Sequence, residues 1–240
     1  MANPSIDFVI PFWGFDSYRT ESFRYLQSLL HEWFADYEPP AWCATGPYGA
    51  KSRSQARNQL ANEGEGEIIV FIDADSIPNS DALRETIYTV KQTKAWAFPF
   101  TNYYNLTQKG SEDLKQDPPW AHWRNEDSYE YEYVFPGPDP VDRPAAVGGA
   151  VVIHREAWEK TPGYDERFKG WGGEDRAFAL MLETLVGEGF RYPSPIYHLW
   201  HPAPESDRFD NANWEYNRQL LACYKAVHGH PEQMRALVNG

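Results

Sequence analysis

The chain has 240 residues, with 35 acidic side chains against 22 Lys and Arg and a formal net charge of −13. That length suits one domain with a sizeable core, and so acidic a composition argues against a general nucleic-acid binder, which normally presents a basic face. Cys43 and Cys223 give neither a disulfide framework nor a metal-ligand spacing, no apolar run approaches the ~20 residues of a membrane span, and no signal-peptide pattern opens the chain, so a cytoplasmic location is expected.

Ile6–Ile10 reads as a first strand, stopped by Pro11. A helical stripe follows, with Phe23, Leu26, Leu29, Leu30 and Trp33 on one face. Residues 41–44 form a weaker second strand after Pro39 and Pro40. Ser52 with Gln55 makes a capping box, which starts a helix near Arg53 that Gly64 and Gly66 close. Ile68–Ile72 is a continuous apolar run and reads as a strand buried on both faces. Asn79 or Ser80 can cap a helix over 81–92, and 95–100 is strand-like. These repeats of strand and helix predict an α/β fold: one domain built on a mixed, mainly parallel sheet with helices on both faces.

Residues 101–144 carry several prolines, many Tyr and acidic side chains, and little apolar periodicity. A functional loop or lid is expected there, between a nucleotide-binding half over 1–100 and a catalytic, acceptor-binding half over 145–240. Trp120, Trp123 and the Tyr129 to Tyr133 cluster are its candidates for touching an acceptor. In the second half, Gly148 and Gly149 lead into a strand over 150–153. Phe178, Met181, Leu182, Leu185 and Val186 form a helical stripe, which puts Glu174 and Asp175 in that helix's first turn. One last strand over 190–199 and a closing helix over 214–227 complete the chain.

Three constellations carry chemistry. Asp73 and Asp75 stand at the C-terminal end of a buried strand, where open α/β sheets hold ligands, and can converge on one hard cation. The chain has neither a G-x-G-x-x-G loop nor a G-x-x-x-x-G-K-[ST] loop, so a bound diphosphate must be held by a metal. A calcium loop is excluded because Ile77 and Pro78 fill later ligand and glycine positions, while a haloacid-dehalogenase-type phosphatase with Asp73 as nucleophile stays an alternative. Arg53 and Arg57 share a helix face and could grip a diphosphate. His198 and His201, at the last strand's end, add imidazoles that favour Mn2+ over Mg2+. Glu174 and Asp175 follow Trp171, Gly172 and Gly173: a carboxylate acceptor for a proton, a flat apolar face, and a backbone that a substrate can approach closely.

The segments ARNQLANEGEGEIIVFIDAD (56–75), VGGAVVIHREAWEKTPGYDERFKGWGGED (147–175) and YHLWH (197–201) together resemble glycosyltransferases of the Rossmann-like GT-A fold. The likeness is to the β-1,4-galactosyltransferases and the bacterial chondroitin-polymerase-type enzymes. It implies that Asp75 ligates Mn2+ on the diphosphate of a UDP-sugar, with Asp73 at ribose or metal. It implies His198 as the distant metal ligand, with His201 as second candidate. Pro11, Phe12 and Arg19 would meet the nucleotide, and Gly148 and Gly149 would leave room for the sugars. Trp171 would pack on donor or acceptor sugar, Gly172, Gly173 and Glu174 would bind acceptor, and Asp175 would be the general base. Two positions depart from the family: Arg176 stands where the galactosyltransferases carry a further Asp, and Thr45 and Gly46 stand where many relatives place an acid that reads uracil. A retaining relative has Asn at the position of Asp175, so the Asp implies inversion. The expectation is an inverting, Mn2+-dependent transferase of hexose or N-acetylhexosamine, with a non-catalytic nucleotide-sugar-binding domain as the other reading. The acceptor is left open among glycan, protein, lipid head group and modified nucleic acid.

Overall fold

The computed structural model describes residues 3–12, 16–37, 42–45, 52–118, 129–135, 145–202 and 212–240. In chain order they form β1 (Ile6–Ile10), α1 (Ser17–Trp33), β2 (Trp42–Thr45), α2 (Arg53–Glu63), β3 (Ile68–Ile72), β4 (Ser76–Pro78), α3 (Ser80–Thr93), β5 (Trp96–Phe98) and β6 (Asn102–Leu106). There follow α4 (Gln108–Gln116), β7 (Tyr131–Phe135), β8 (Ala150–His154), α5 (Arg155–Trp158), α6 (Glu174–Leu185), β9 (Phe190–Arg191), β10 (Pro195–His198), α7 (Ala212–Ala226) and α8 (Pro231–Asn239).

Two mixed sheets result, one of six strands in the order β2-β1-β3-β8-β5-β9 and one of four in the order β4-β10-β6-β7. In the larger sheet β1 runs parallel to β2 and β3, β9 parallel to β5, and β8 antiparallel to β3 and β5. All five residues of β3 are buried, as the apolar run predicts. Its two faces meet different partners. Phe71 packs on Trp158, Tyr164 and Phe178, while the neighbouring Phe8, opposite Val70, packs on Phe34 at the end of α1. Ser52 and Asn79 cap α2 and α3 as expected, accepting from the backbone N–H of Gln55 at 3.2 Å and of Ala82 at 3.0 Å. Among the described residues no helix is long and apolar enough to cross a membrane.

The second sheet is the main correction to the sequence reading. Where 101–144 was expected to be a loop, β6, α4 and β7 are regular structure. The strand signal in β6 is carried by Tyr104, Asn105 and Leu106, all buried, and two of the three are polar enough to mask it. Helix α4 has one buried large apolar residue, Leu114, and starts on a Thr107 cap. Trp120 and Trp123 lie outside the described residues. The last strand also divides. Tyr192 donates to Phe98 O at 3.0 Å as the final bond to the first sheet, then the chain turns through Pro193 and enters the second sheet as β10. Proline has no N–H for a ladder, so one strand through both Pro193 and Pro195 is not available. The chain ends in two helices rather than one, because Gly229 breaks α7 from α8 and Pro231 starts the latter.

Three connections therefore leave the large sheet and enter the small one: β3 to β4, β5 to β6, and β9 to β10. Asp73 and Asp75 lie in the first of these connections, and His198 ends β10, which pairs with β4.

Asp7 is a buried charge in the middle of β1. Its Oδ2 accepts from Gly66 N at 2.7 Å and from Arg155 Nη2 at 2.6 Å, and Arg155 also donates to Gly66 O and Ala61 O. A Cβ on Gly66 would come within 2.7 Å of the Asp7 carboxyl carbon, so glycine is required there. Burial raises the Asp7 pKa above the ordinary value, against the pull of Gly66 and Arg155. The native state thus holds this proton to higher pH than the unfolded chain does, and stability falls as pH rises through the folded pKa. Arg155→Ala should cost roughly 3–5 kcal/mol by leaving the carboxylate uncompensated. In urea titrations the loss should be larger at pH 8 than at pH 5.

Candidate active site

A cluster that could hold a metal ion is built by the small sheet. Strand β10 lies antiparallel to β4 with His198 opposite Ser76, and Leu199 N donates to Asp75 O at 2.7 Å. That register sets the Asp75 side chain beside His198, and the chain then folds back to bring in His201. His198 Nε2 is 3.5 Å from Asp75 Oδ1 and His201 Nε2 is 3.4 Å from Asp75 Oδ2. One donor atom from each of the three lies within 4.8 Å of the others. Both histidines named as alternatives in the sequence thus reach one point. Burial lowers the His201 pKa, with the Asp75 charge acting the other way, which favours the neutral imidazole that a metal needs. Tyr103, from β6, lies 5.8 Å from the His198 ring between centroids and forms a wall that the sequence did not announce.

Asp73 is not part of that cluster. Its N–H is bound by Gly149 O at 2.9 Å, and its Oδ1 accepts from Arg57 Nη2 at 2.7 Å. Arg57 is the hub of a second cluster. It is 3 % exposed, its Nη1 is 3.1 Å from Asp175 Oδ1 and 3.9 Å from Glu174 Oε1, and its guanidinium lies 4.8 Å from the centre of the Tyr164 ring. Arg53 Nη2 pairs with Glu174 Oε1 at 2.7 Å. The two arginines expected to grip a diphosphate are both paired with carboxylates in this structure. Three acids converge there, and buried anions need paired cations. Burial alone would lower the Arg57 pKa, but Asp175 and Asp73 outweigh it and the side chain stays charged.

Helix α6 starts on Gly173 at φ 98°, with Glu174 and Asp175 in its first turn as predicted. Glu174, expected to bind acceptor hydroxyls, is 4 % exposed and forms an ion pair with Arg53. Asp175 lies against Gly148: a Cβ there would come within 3.1 Å of its Oδ2. Burial is the largest influence on Asp175 and raises its pKa; Arg57 opposes, and the Glu174 and Asp73 charges add to the rise, giving about 7. The helix N-terminus favours the anion, but burial wins. Gly149, at φ 97°, has Tyr103 Cε2 3.0 Å from where a Cβ would stand, so the backbone there is closed to any larger residue.

The remaining candidates are placed as follows. Phe12 stacks on Phe23 at 4.4 Å, which turns it towards α1. Pro11 is buried at the end of β1. Arg19 pairs with Asp16 at 3.6 Å, and its charge reaches His201. Asn58 holds the loop before α6, donating to Tyr164 O at 2.8 Å and accepting from Tyr164 N at 2.7 Å. Trp171 is exposed, while Gly172 and Gly173 shape the turn behind it. Tyr129 is buried; Tyr131, Tyr133 and Phe135 are exposed on β7. Gly46 lies outside the described residues.

Comparison with known proteins was made on sequence and on fold. Residues 140–202 match the family described as the N-terminal domain of galactosyltransferase. A Drosophila melanogaster protein assigned as polypeptide N-acetylgalactosaminyltransferase 13 is 27 % identical over 173 residues, which is 64 % of this chain and 30 % of that protein's length. The catalytic domain of Drosophila β1,4-galactosyltransferase 7, in complex with xylobiose, superposes with a TM-score of 0.54 at 14 % identity, covering 89 % of this chain and 79 % of that one. GalNAc-T7 with UDP, GalNAc and Mn2+ superposes with a TM-score of 0.53 at 13 % identity, covering 98 % of this chain and 54 % of the other.

Proposed function

The chain has the GT-A glycosyltransferase fold, and on that premise we propose that it is a Mn2+-dependent glycosyltransferase that moves a hexose or N-acetylhexosamine from a UDP-sugar to an acceptor hydroxyl with inversion. The observation that carries this reading is Arg57. It hydrogen-bonds Asp73, at the end of β3, and forms an ion pair with Asp175, at the start of α6. The strand end that leads to the metal cluster and the carboxylate beside Gly148 are thereby two ends of one site.

Asp75, His198 and His201 fit a divalent cation. One carboxylate and two imidazoles suit Mn2+ better than Mg2+, and His198 Nδ1 is buried without a hydrogen-bond partner. A cation held there would neutralise charge on the leaving diphosphate. The chain's own residues do the rest. Asp175 Oδ2, beside Gly148, takes the proton of the attacking hydroxyl, and a pKa near 7 suits it to that work at neutral pH. Arg57 fixes the orientation of Asp175. Glu174 and Arg53 hold the helix start that presents it.

Release of UDP from UDP-galactose and UDP-N-acetylgalactosamine tests the reading, with Mn2+ and with a chelator. Metal-dependent release is expected, and its absence with every UDP-hexose and UDP-N-acetylhexosamine would sink the proposal. A separate readout needs no turnover. Mn2+ at about 100 times its Kd should stabilise the protein by ~2.7 kcal/mol in thermal melts. Asp75→Ala should abolish that shift, and Mg2+ should give less of it.

A further inference from the structure

The loop that carries Trp171 does not hold itself. Gly170, Gly172 and Gly173 all have positive φ, at 66°, 101° and 98°, and Gly173 caps α6 with no side-chain hydrogen bond. Support comes from α7, well outside the segment matched by the galactosyltransferase family. Trp214 stacks on Trp171 with ring centroids 5.5 Å apart and an interplanar angle of 18°. Gly172 is required beneath that stack, because a Cβ there would lie 2.8 Å from Trp214 Cζ3. One turn along α7, Asn217 is 1 % exposed. Its Nδ2 donates to Lys169 O at 2.8 Å and to Trp171 O at 3.3 Å, and its Oδ1 accepts from Lys169 N at 3.2 Å. A buried amide that spends donor and acceptor on one short loop is a clamp on that loop's backbone. With Trp214 packed behind it, Trp171 keeps 44 % of its surface exposed. The indole is thus held against Trp214, three residues before the first residue of α6.

We infer that α7 is a working part of the acceptor site: Trp214 and Asn217 are positioning residues that hold Trp171 as a platform for a pyranose ring of the acceptor. The inference rests on the sugar-transfer reading. That Trp171 packs on a sugar is what the resemblance implies; the part inferred from the structure is its support by Trp214 and Asn217. A rigid indole face matches the apolar C–H face of a pyranose at little entropic cost, and the proton acceptor for a sugar hydroxyl lies four residues on.

The test uses the full chain with Mn2+ and UDP, titrated with methyl β-pyranosides of xylose, glucose, galactose and N-acetylglucosamine and followed by tryptophan fluorescence. At least one pyranoside should quench the wild type and leave Trp171→Phe unchanged. Trp214→Ala and Asn217→Ala should each weaken that binding about tenfold. Trp214→Phe, which keeps an aromatic backing, should recover it to within about twofold. In turnover the loss should fall on the half-saturating pyranoside concentration rather than on the rate at saturation. Unchanged affinity in both alanine variants overturns the inference, as does Trp214→Phe no better than Trp214→Ala, or no quenching of the wild type by any pyranoside. UDP release measured alongside separates the two ideas. Quenching without any UDP release sinks sugar transfer and leaves the platform standing, and UDP release without quenching does the reverse.

Discussion

Asp175→Asn will lower the rate of sugar transfer by roughly two to four orders of magnitude, the range lost when a positioned general base is removed. Asparagine keeps the size of the side chain and its place beside Arg57, so binding of Mn2+ should persist, which thermal melts can check independently. The wild-type pH profile should carry the same signature. Asp175 must be ionised to take a proton, and burial puts its pKa at about 7. On the acid side log(kcat/KM) should therefore rise by about one for each pH unit and flatten above neutrality. The variant should lose that limb. A variant that keeps wild-type turnover, or a profile flat from pH 5 to 8, would assign the proton to another group.

The elements that the sequence announced best are those whose burial is two-sided or whose caps are local. Ile68–Ile72 has no polar residue to disguise it, and every one of its side chains is buried. Ser52 and Asn79 are read from spacing alone, because a cap is a contact over three residues. The residues alone name the Asp pair, the two histidines and Glu174 with Asp175 as chemistry, and only the resemblance makes Asp75 and the histidines ligands of one metal. Which oxygen meets which nitrogen depends on strand register across more than a hundred residues: only the pairing of β4 with β10 makes Asp75 a neighbour of His198. The same is true of Arg57. A four-residue spacing on a helix suggested a phosphate fork, but the helix is packed so that its arginines meet acids from β3 and α6. The small sheet was hidden because its strands are short and rich in Tyr and Asn, whose polar tips blur a period-two pattern. Trp214 and Asn217 gave no signal at all, since a stack and a backbone clamp are visible only in three dimensions.

Arg57 is where fold and chemistry are joined most tightly, and its removal should expose both. Arg57→Met replaces a 3 %-exposed cation that faces Asp73, Asp175 and Glu174. With the charge gone, buried Glu174 and partly buried Asp73 and Asp175 repel one another, and a loss of roughly 3–5 kcal/mol is expected. The sign of its pH dependence follows from linkage. Without the arginine the folded-state pKa of Asp175 rises further above its unfolded value, so the native state gains protons relative to the unfolded chain. Stability is then retained at low pH and lost as pH rises through the raised folded pKa of Asp175. Urea midpoints of Arg57→Met should thus lie closest to wild type near pH 5 and furthest near pH 8. Arg57→Lys divides the two roles. A lysine carries the charge but is a single point, unable to reach Asp73 and Asp175 with separate nitrogens as the guanidinium does. It should restore much of the stability while leaving Asp175 less well held and less well neutralised. The acid limb of the transfer profile should then move to higher pH than in the wild type. If Arg57→Lys recovers stability and wild-type kinetics together, the cation serves only to neutralise the acids. If it recovers stability alone and shifts the limb upward, the two-armed contact is what aims the base.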